Sequence, residues 1–299
     1  MQAFLQAGFI GLGNMGSLMS RNLIKHSGIP LIVYDLNAEA VSLCVKDGAQ
    51  AAKNVTELAK ACDIIFVSLP TPAVVETVLL GDQGVLHAAK ALTMVVDLST
   101  NSSALTIRVR DALQERGIGY LEVPVTGGVT RAADGTLTLM AGGTAEALER
   151  CQPLLKCIGN QVVHVGDVGA ASTAKLINNF LLVSNLIAAS EGAIMAEKAG
   201  LDIQKFVEVI STGSGGSAAF QLLTNRAFKG KFNPNFSLDL AHKDFSLAMD
   251  MASGMDVPTV MGGAAMSLLK MGRSQGLGSL DMTAVLKVYE SVTGVEVRL

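Results

Sequence analysis

Gly8-Phe9-Ile10-Gly11-Leu12-Gly13-Asn14-Met15-Gly16, near the start of the chain, carries the strongest structural signal in this sequence. It contains a G-x-G-x-x-G run between a short apolar segment, Ala7 to Ile10, and a helix-compatible segment, Ser17 to His26. In a strand–turn–helix unit, the first glycine permits a tight turn and the second lets the backbone approach a pyrophosphate. The third lets the helix pack closely on the strand, and the helix amides then face an anion. We therefore predict a dinucleotide-binding turn.

A second apolar segment supports this prediction because it ends in an acid at a suitable distance. Leu31-Ile32-Val33-Tyr34 is followed by Asp35, 19 residues after Gly16, close to the interval of about 20 typical of such units. A carboxylate there accepts hydrogen bonds from ribose hydroxyls and repels a 2′-phosphate. No Lys or Arg occurs from Leu36 to Val45, so NAD is favoured over NADP. The predicted cofactor-binding residues of this unit are Gly11, Leu12, Gly13, Asn14, Met15, Gly16 and Asp35.

Composition restricts the class of protein. The 299 residues are 49% apolar with a net charge of −3, enough for two domains with sizeable cores. No basic block is present, which argues against a nucleic-acid partner. The cysteines form no C-x-x-C pair and no histidine cluster accompanies them, so neither zinc nor another metal nor a disulfide framework is favoured. The nucleotide motif begins at Gly8, which leaves no room for a removable signal, and we expect a cytoplasmic protein.

Short apolar segments alternate with helix-like segments over residues 1–165, which predicts a dinucleotide-binding domain of the α/β class. Such alternation indicates a Rossmann-type, doubly wound, mostly parallel sheet. The further predicted strands are Ile64–Leu69, Met94–Leu98, Gly119–Val123, Leu137–Ala141 and Val162–Val165. The further predicted helices are 38–47, 55–61, 72–79, 103–116 and 144–157.

Residues 166–299 have a different character and are predicted to form an all-α domain for substrate binding and oligomerisation. Residues 172–199 read as one long interdomain helix of about 42 Å. Its uncharged part, Leu176–Ser190, is only 15 residues long and holds three asparagines. Because a membrane span needs about 20 apolar residues, we expect no membrane association. A helix apolar on most faces is expected at the centre of a helical domain or in a subunit contact.

Polar residues follow three predicted strands, at the edge of the sheet where ligands bind. They are Ser68-Leu69-Pro70, Ser99-Thr100 and the segment Pro124 to Gly128. Within the last, the hydroxyl of Thr126 and two flexible glycine amides suit a carboxylate. An ordinary glycine loop is the alternative interpretation.

Two lysines are candidates for proton transfer or cofactor contact. Lys175 and Asn179 lie four residues apart, hence on one face of the long helix. A partly desolvated lysine beside a nicotinamide can act as acid or base because burial lowers the pKa of a lysine. Lys243 is the second candidate. For both lysines, an ordinary solvated helix position is the alternative.

Taken together, these segments resemble the β-hydroxyacid dehydrogenase family over essentially the whole chain. The family includes 3-hydroxyisobutyrate dehydrogenase, tartronate semialdehyde reductase and 2-(hydroxymethyl)glutarate dehydrogenase. The motifs that carry the resemblance are Gly8 to Gly16, Asp97-Leu98-Ser99-Thr100, Pro124-Val125-Thr126-Gly127-Gly128, Gly135-Thr136-Leu137, Lys175-Leu176-Ile177-Asn178-Asn179 and Asp239-Leu240-Ala241-His242-Lys243-Asp244.

The resemblance implies roles at the matching positions. Lys175 would be the catalytic lysine and Asn179 would help to hold the substrate. Thr126, Gly127 and Gly128 would bind the substrate carboxylate.

On the cofactor side, Ser68-Leu69-Pro70 and Thr100 would line the dinucleotide cleft, and Lys243 would reach the nicotinamide end. The resemblance also implies a homodimer or homotetramer with the long helix in the subunit contact.

Three positions depart from the usual family pattern. Thr126 stands where serine is usual, Glu122 where aspartate is common, and Ala171 where glycine is frequent. The extra methyl of Thr126 could alter the preferred substrate size, and we expect none of the three to abolish activity.

The expected reaction is NAD-dependent, reversible oxidation of a small 3-hydroxy acid at its primary alcohol to the semialdehyde. Two alternatives remain open: an imine reductase-like enzyme, against which Lys175 argues, and a non-catalytic dinucleotide-binding scaffold, against which Lys175 and Asn179 both argue. Candidate substrates include 3-hydroxyisobutyrate, glycerate, 2-(hydroxymethyl)glutarate and related sulfo-acids.

Overall fold

A computed structural model describes residues 4–299, and the chain divides into two compact units. Unit 1 ends at Lys175, and unit 2 comprises Leu176–Leu299. The predicted domain limits of 1–165 and 166–299 stay predictions about where independently folding parts would separate.

The strands of unit 1 alternate with helices along the chain. The strands are β1 (Ala7–Ile10), β2 (Leu31–Tyr34), β3 (Gln50–Ala51), β4 (Ile64–Val67), β5 (Met94–Asp97), β6 (Gly119–Glu122), β7 (Val125–Thr126), β8 (Leu137–Gly142) and β9 (Gly159–Gly166). The helices are α1 (Gly16–His26), α2 (Ala38–Lys46), α3 (Val55–Ala61), α4 (Pro72–Leu80), α5 (Val85–Ala88), α6 (Ser103–Glu115), α7 (Gly128–Asp134) and α8 (Ala145–Ile158).

The strands form one sheet in the order β3-β2-β1-β4-β5-β6-β8-β7, with β9 paired to β8. Strands β1 to β6 pair in parallel, whereas β8 runs antiparallel to β6 and β7. The predicted α/β class with a mostly parallel sheet is therefore confirmed. The two-residue strands β3 and β7 are too short to show a period in the sequence, and they were not predicted.

The central strands β1 and β4 are apolar along their whole length because helices cover both faces of the sheet. Successive side chains alternate between two cores. Phe9 and Phe66 stack in one core with ring centroids 6.0 Å apart. Ile10 and Val67 lie in the other. Burial on both faces fixes the register of these strands, and their carboxyl ends lie at the same edge of the sheet.

Helix starts in unit 1 follow from capping side chains. The side chains of Asn37, Asn54, Thr71, Ser102 and Thr144 each accept a hydrogen bond from a backbone amide of the helix that follows, which satisfies a donor that the helix cannot. These caps place each helix immediately after a strand end or loop.

Unit 2 is helical. Its helices are the greater part of α9 (Ala170–Lys198), then α10 (Ile203–Thr212), α11 (Ala218–Asn225), α12 (Leu238–Gly254), α13 (Val260–Ser274) and α14 (Val285–Thr293). Short 3-10 turns occupy Ala227–Lys229 and Met282–Ala284. An all-helical part thus follows the sheet, as predicted.

Helix α9 has 29 residues and is longer than the uncharged stretch that it contains. Within residues 4–299 it is the one helix whose length and composition would allow it to cross a membrane. In the structure, Val183, Leu186 and Ile187 on α9 are buried in the helical core of unit 2. The expectation that α9 does not associate with a membrane stays a prediction.

Candidate active site

The glycine turn between β1 and α1 has the geometry that a dinucleotide phosphate requires. Gly11 adopts a φ of +94°, and a Cβ there would clash with the carbonyl oxygen of Ser68. A Cβ on Gly16 would clash with the carbonyl oxygen of Gly11, so the helix could not start so close to the strand. A Cβ on Gly13 would meet no protein atom within 4 Å. Open space at Gly13 and tight packing at Gly11 and Gly16 fit a bound pyrophosphate.

Asp35 holds this turn against the end of β2. Its carboxylate accepts hydrogen bonds from the Leu12 amide at 2.6 Å and from the Asn37 amide at 2.7 Å. A depression of about 220 Å³ lies beside the turn and is bordered by Leu12, Gly13, Asn14, Ser17, Arg21, Asn37, Ala40 and Leu43. Asp35 thus binds the backbone of two residues that border this depression, Leu12 and Asn37.

Arg21 is a cation that the sequence search for phosphate-binding residues missed. It comes from α1 rather than from the segment after Asp35, and it borders the same depression. Its guanidinium pairs with Asp47, with 2.6 Å between Nε and Oδ2. The depression thus has both acidic and basic groups near it, so its charge alone does not select between the two cofactors.

The segments after β4 and β5 are joined to each other and to the glycine turn. The Leu69 amide donates to the Ser99 hydroxyl at 3.0 Å, and the Ser99 amide donates to Asp97 at 2.9 Å. Gly11 packs against Ser68. Three of the predicted cofactor segments, the glycine turn, Ser68-Leu69-Pro70 and the segment containing Thr100, therefore meet at the carboxyl edge of the sheet.

Asp97, the last residue of β5, accepts hydrogen bonds from the residues at this edge of the sheet. Its carboxylate is buried and also accepts hydrogen bonds from Asn101 Nδ2 at 2.9 Å and from the Tyr120 hydroxyl at 3.0 Å. Burial raises the pKa of Asp97 from its usual 3.8 to about 6, although the hydrogen bonds from Ser99 and Tyr120 oppose the shift. Burial, with the charges of Asp97 and Glu122, holds the pKa of Tyr120 well above its usual value.

The predicted carboxylate-binding segment forms a strand and a helix start. Thr126 ends β7 and pairs with Thr138 of β8. Gly127 and Gly128 have φ values of +131° and +70°, and α7 begins at Gly128. Thr126 is half-buried and the two glycines are exposed. Helix α7 was not predicted, because two glycines at its start read as a loop in the sequence.

The first turn of α9 precedes Lys175 and is held by Glu122, whose sequence signal is only a departure from the usual family pattern. The Glu122 carboxylate accepts hydrogen bonds from the Gly169 amide at 2.6 Å, the Ala171 amide at 2.9 Å and the Ser172 amide at 3.3 Å. The Ser172 hydroxyl donates to it at 2.6 Å. Lys175 is half-buried in the next turn.

In unit 2, Asp244 brings two predicted residues together. The buried amide of Asn179 donates to Asp244 at 2.7 Å, and Lys243 forms an ion pair with the same carboxylate at 2.8 Å. Asn178 donates to the Asn179 amide oxygen at 3.0 Å. Asp244 was missed as a site residue, although its position directly after Lys243 in the sequence is a signal that could have found it.

Cysteine and metal chemistry receive no support from the described part of the chain. Cys44, Cys62 and Cys151 are buried free thiols, and Cys157 is a half-buried one. Among residues 4–299, no group of three or more His, Cys, Asp or Glu side chains is placed to hold a metal ion.

Comparison with known proteins covers nearly the whole chain. A family model described as the NAD binding domain of 6-phosphogluconate dehydrogenase matches residues 6–166. Another, described as NAD-binding of NADP-dependent 3-hydroxyisobutyrate dehydrogenase, matches residues 169–289. The 2-(hydroxymethyl)glutarate dehydrogenase of Eubacterium barkeri is 41% identical over 298 residues, which is 99% of each chain. The 3-sulfolactaldehyde reductase of Escherichia coli (strain K12) is 35% identical over 97% of this chain and 98% of that protein.

Solved structures show the same similarity. A 3-hydroxyisobutyrate dehydrogenase from Salmonella typhimurium matches with a TM-score of 0.87 and 30% identity, over 95% of this chain and 99% of that one. Psf3 in complex with NADP+ and 2-OPP matches with a TM-score of 0.87 and 28% identity over the same shares. An imine reductase from Pseudomonas sp. matches with a TM-score of 0.60 and 20% identity over 95% of this chain and 99% of that one, a likeness in fold alone.

Proposed function

Because this chain belongs to the β-hydroxyacid dehydrogenase family, we propose that it oxidises a small 3-hydroxy acid reversibly at its primary alcohol. The product is the semialdehyde, and NAD is the hydride acceptor. The observation that carries the proposal is the placement of Lys175 and Asn179 one turn apart on α9, in a chain that matches dehydrogenases over 99% of its length.

In this proposal, different residues of the chain bind the substrate, orient it and transfer the proton. A nicotinamide dinucleotide, when bound, supplies the hydride acceptor for the alcohol carbon. Lys175 accepts the hydroxyl proton at its Nζ during oxidation and returns it during reduction. The Thr126 hydroxyl with the Gly127 and Gly128 amides holds the carboxylate, and Asn179 orients the reacting end. Such positioning can supply several kcal/mol of barrier reduction.

The substrate class follows from the names of the relatives. 2-(Hydroxymethyl)glutarate carries a primary alcohol on the carbon next to a carboxylate-bearing carbon, and 3-sulfolactaldehyde pairs an aldehyde with a sulfonate. In both, the reacting carbon lies within three single bonds of the carbon or sulfur atom of an anionic group. The Thr126 segment is suited to such an anion because it offers a hydroxyl and exposed glycine amides.

A substrate panel and one variant test the reaction and the role of Lys175. We expect NAD-dependent turnover with at least one of 2-(hydroxymethyl)glutarate, 3-hydroxyisobutyrate and L-serine, or reduction of 3-sulfolactaldehyde. In Lys175→Ala we expect turnover to fall by about 10² or more because the proton has no acceptor, while NADH still binds. The exposed Lys156→Ala is the matched control. Near-normal turnover in Lys175→Ala would contradict the role.

The same panel separates the alternatives. An imine reductase would reduce a cyclic imine such as 1-pyrroline and leave the hydroxy acids unchanged. A scaffold would bind the dinucleotide without turning over any compound. Neither alternative accounts for the match to hydroxyacid dehydrogenases over the full length of the chain.

NAD is the cofactor that we propose, with NADP used less well. Asp35 supports NAD, since its carboxylate would repel a 2′-phosphate. Arg21 and the NADP+ bound to a structural neighbour weigh on the other side. The measurement is kcat/KM for the two cofactors with the best substrate, and a large NADP preference would overturn this part of the proposal. A cytoplasmic location and a homodimer or homotetramer complete it.

A further inference from the structure

Glu122 is a buried carboxylate with an unusual number of donors. It is only 1% exposed and ends β6, yet its four hydrogen bonds all go to the amino end of α9. The first amides of a helix have no partner within the helix, and the helix dipole adds a positive charge there. A carboxylate in this place satisfies three amides and one hydroxyl at once. Glu122 therefore binds the first turn of α9 to the end of β6.

A glycine on the neighbouring strand, which has no side chain, leaves space for the long side chain of Glu122. Gly142 of β8 lies directly opposite Glu122 in the antiparallel register. A Cβ on Gly142 would clash with Oε1 of Glu122 and lie 2.9 Å from its Cγ. Glutamate has one methylene more than the aspartate common at this position in the family. Gly142 and Glu122 thus form a matched pair.

The cap acts on the turn that immediately precedes Lys175. Ser172, which is bonded to Glu122 through both its amide and its hydroxyl, lies three residues before Lys175 and hence on the same side of the helix. All these residues belong to unit 1, as does the glycine turn. The position of Lys175 relative to the carboxyl edge of the sheet is therefore set by the Glu122 cap.

We infer that Glu122 is a positioning residue for Lys175, and that Gly142 is required because a Cβ there would displace the Glu122 side chain. The inference rests on the proposed role of Lys175 as the proton acceptor. A cap that only stabilised the fold would change the melting temperature and leave turnover of the folded enzyme unchanged. A positioning cap changes kcat, since a displacement of about 1 Å from productive geometry can cost about 10²-fold in rate.

The first experiment compares Glu122→Gln with wild type in the full chain. We expect kcat to fall about tenfold or more at a temperature where both proteins are folded, with little change in the KM for NAD. The Glu122→Asp variant keeps the charge and should retain more activity than Glu122→Gln. Thr144→Ala removes the cap of α8, which carries no proposed site residue, and is the matched control for loss of a cap. An equal kcat in Glu122→Gln and wild type would overturn the inference.

The second experiment is a double-mutant cycle. Gly142→Ala should lower kcat strongly beside Glu122, because the new methyl displaces the carboxylate. In the Glu122→Ala background the same substitution should cost much less, since no side-chain atom beyond Cβ then remains at position 122 to meet the new methyl. Equal effects of Gly142→Ala in both backgrounds would show that the two positions are independent.

A readout without turnover separates this inference from the proposed reaction. Hydrogen exchange measured by mass spectrometry should be about tenfold faster or more for amides 169–175 in Glu122→Gln, because the cap no longer holds them. The Thr144→Ala control should leave these amides unchanged. Unaltered protection in Glu122→Gln overturns the cap. A wild-type chain that turns over no compound of the panel overturns the proposed function instead.

Discussion

At the residue scale, Asp97 is the clearest case of a side chain whose chemistry is set by its surroundings. Three groups donate hydrogen bonds to its carboxylate, the Ser99 amide, Asn101 Nδ2 and the Tyr120 hydroxyl, and the carboxylate is buried at the end of β5. No cation is among its hydrogen-bond donors. Burial therefore disfavours the charged form and raises the pKa to about 6.

This shift makes a prediction about stability and pH. Well below pH 3.8, Asp97 is protonated in both the folded and the unfolded chain. As the pH rises through 4 to 6, the unfolded chain loses this proton first while the folded chain keeps it, so the folded state becomes less favoured. Between about pH 4 and pH 7 the free energy of unfolding therefore falls by about 3 kcal/mol, since one unit of pKa is worth about 1.4 kcal/mol. Stability falls with rising pH in this window, the reverse of a salt-bridged carboxylate.

Asp97→Asn isolates the effect, because an asparagine cannot titrate. Urea unfolding of wild type and variant between pH 4 and pH 7 should show the difference, wild type minus variant, falling as the pH rises. Asp82→Asn, which removes an exposed carboxylate, is the control and should show no such trend. A constant difference for Asp97→Asn would contradict the burial argument.

Residue identity alone also indicated much of the candidate site. Lys175, Asn179 and the Thr126 segment could be named from their residue types and spacing. The partners of Asp244 and Glu122 could not be predicted, because they lie 65 and 50 residues away along the chain. Hydrogen bonds between residues far apart in the chain produce no repeating pattern in the sequence.

At the scale of elements, substitutions in the glycine turn should separate effects on cofactor binding from effects on stability. Gly13→Ala places a methyl where no protein atom lies within 4 Å, so the fold should tolerate it while the approach of a pyrophosphate is blocked. Gly16→Ala places a methyl against the Gly11 carbonyl oxygen, so α1 must move away from β1. We expect weaker NADH binding with an unchanged melting temperature in Gly13→Ala, and a lower melting temperature in Gly16→Ala. Isothermal calorimetry and thermal unfolding measure the two effects.

The opposite pattern would overturn this assignment of roles. If Gly13→Ala lowered the melting temperature as much as Gly16→Ala did, the turn would be needed for packing alone. Gly215→Ala is the control for Gly13→Ala, since a Cβ there also meets no atom within 4 Å and neither glycine has a positive φ.

Helices and strands whose apolar residues recur at a regular spacing could be predicted, and those without such a spacing could not. Strands β1 and β2 have the predicted limits, and each helix for which limits were predicted agrees to within two residues. The antiparallel pairing of β8 with β6 has no local signature, because it depends on the turn at Gly127 and on α7. Helix α9 begins at Ala170 rather than at residue 172, since Glu122 satisfies the amides of that first turn.

At the scale of the whole molecule, α9 presents apolar side chains that the single chain leaves exposed. Ile177, Leu181 and Met195 are 48%, 53% and 66% exposed. Residues 177 and 181 are one turn apart on the same helix face. Several large apolar side chains exposed along one helix are typical of subunit contacts, which supports the proposed homodimer or homotetramer.

Leu181→Glu tests this contact. A charge introduced into an apolar interface should shift sedimentation velocity towards the monomer at micromolar concentration, because the carboxylate loses its hydration there. Val292→Glu alters an equally apolar and 73% exposed residue on α14 and serves as the control. A wild-type chain that sediments as a monomer would contradict the proposed assembly, and an unchanged oligomer in Leu181→Glu would exclude α9 from the contact.

The sequence by itself determined the class of fold and the chemistry available to it. Burial on both faces makes central strands continuously apolar, and glycines are needed wherever backbone must turn or approach closely, so both leave local patterns. Tertiary structure decided what surrounds each polar group. It enclosed Asp97, placed Asp244 between Asn179 and Lys243, and matched Glu122 to Gly142 across a strand pair. These relations depend on contacts between residues far apart in the chain, and no local spacing records them.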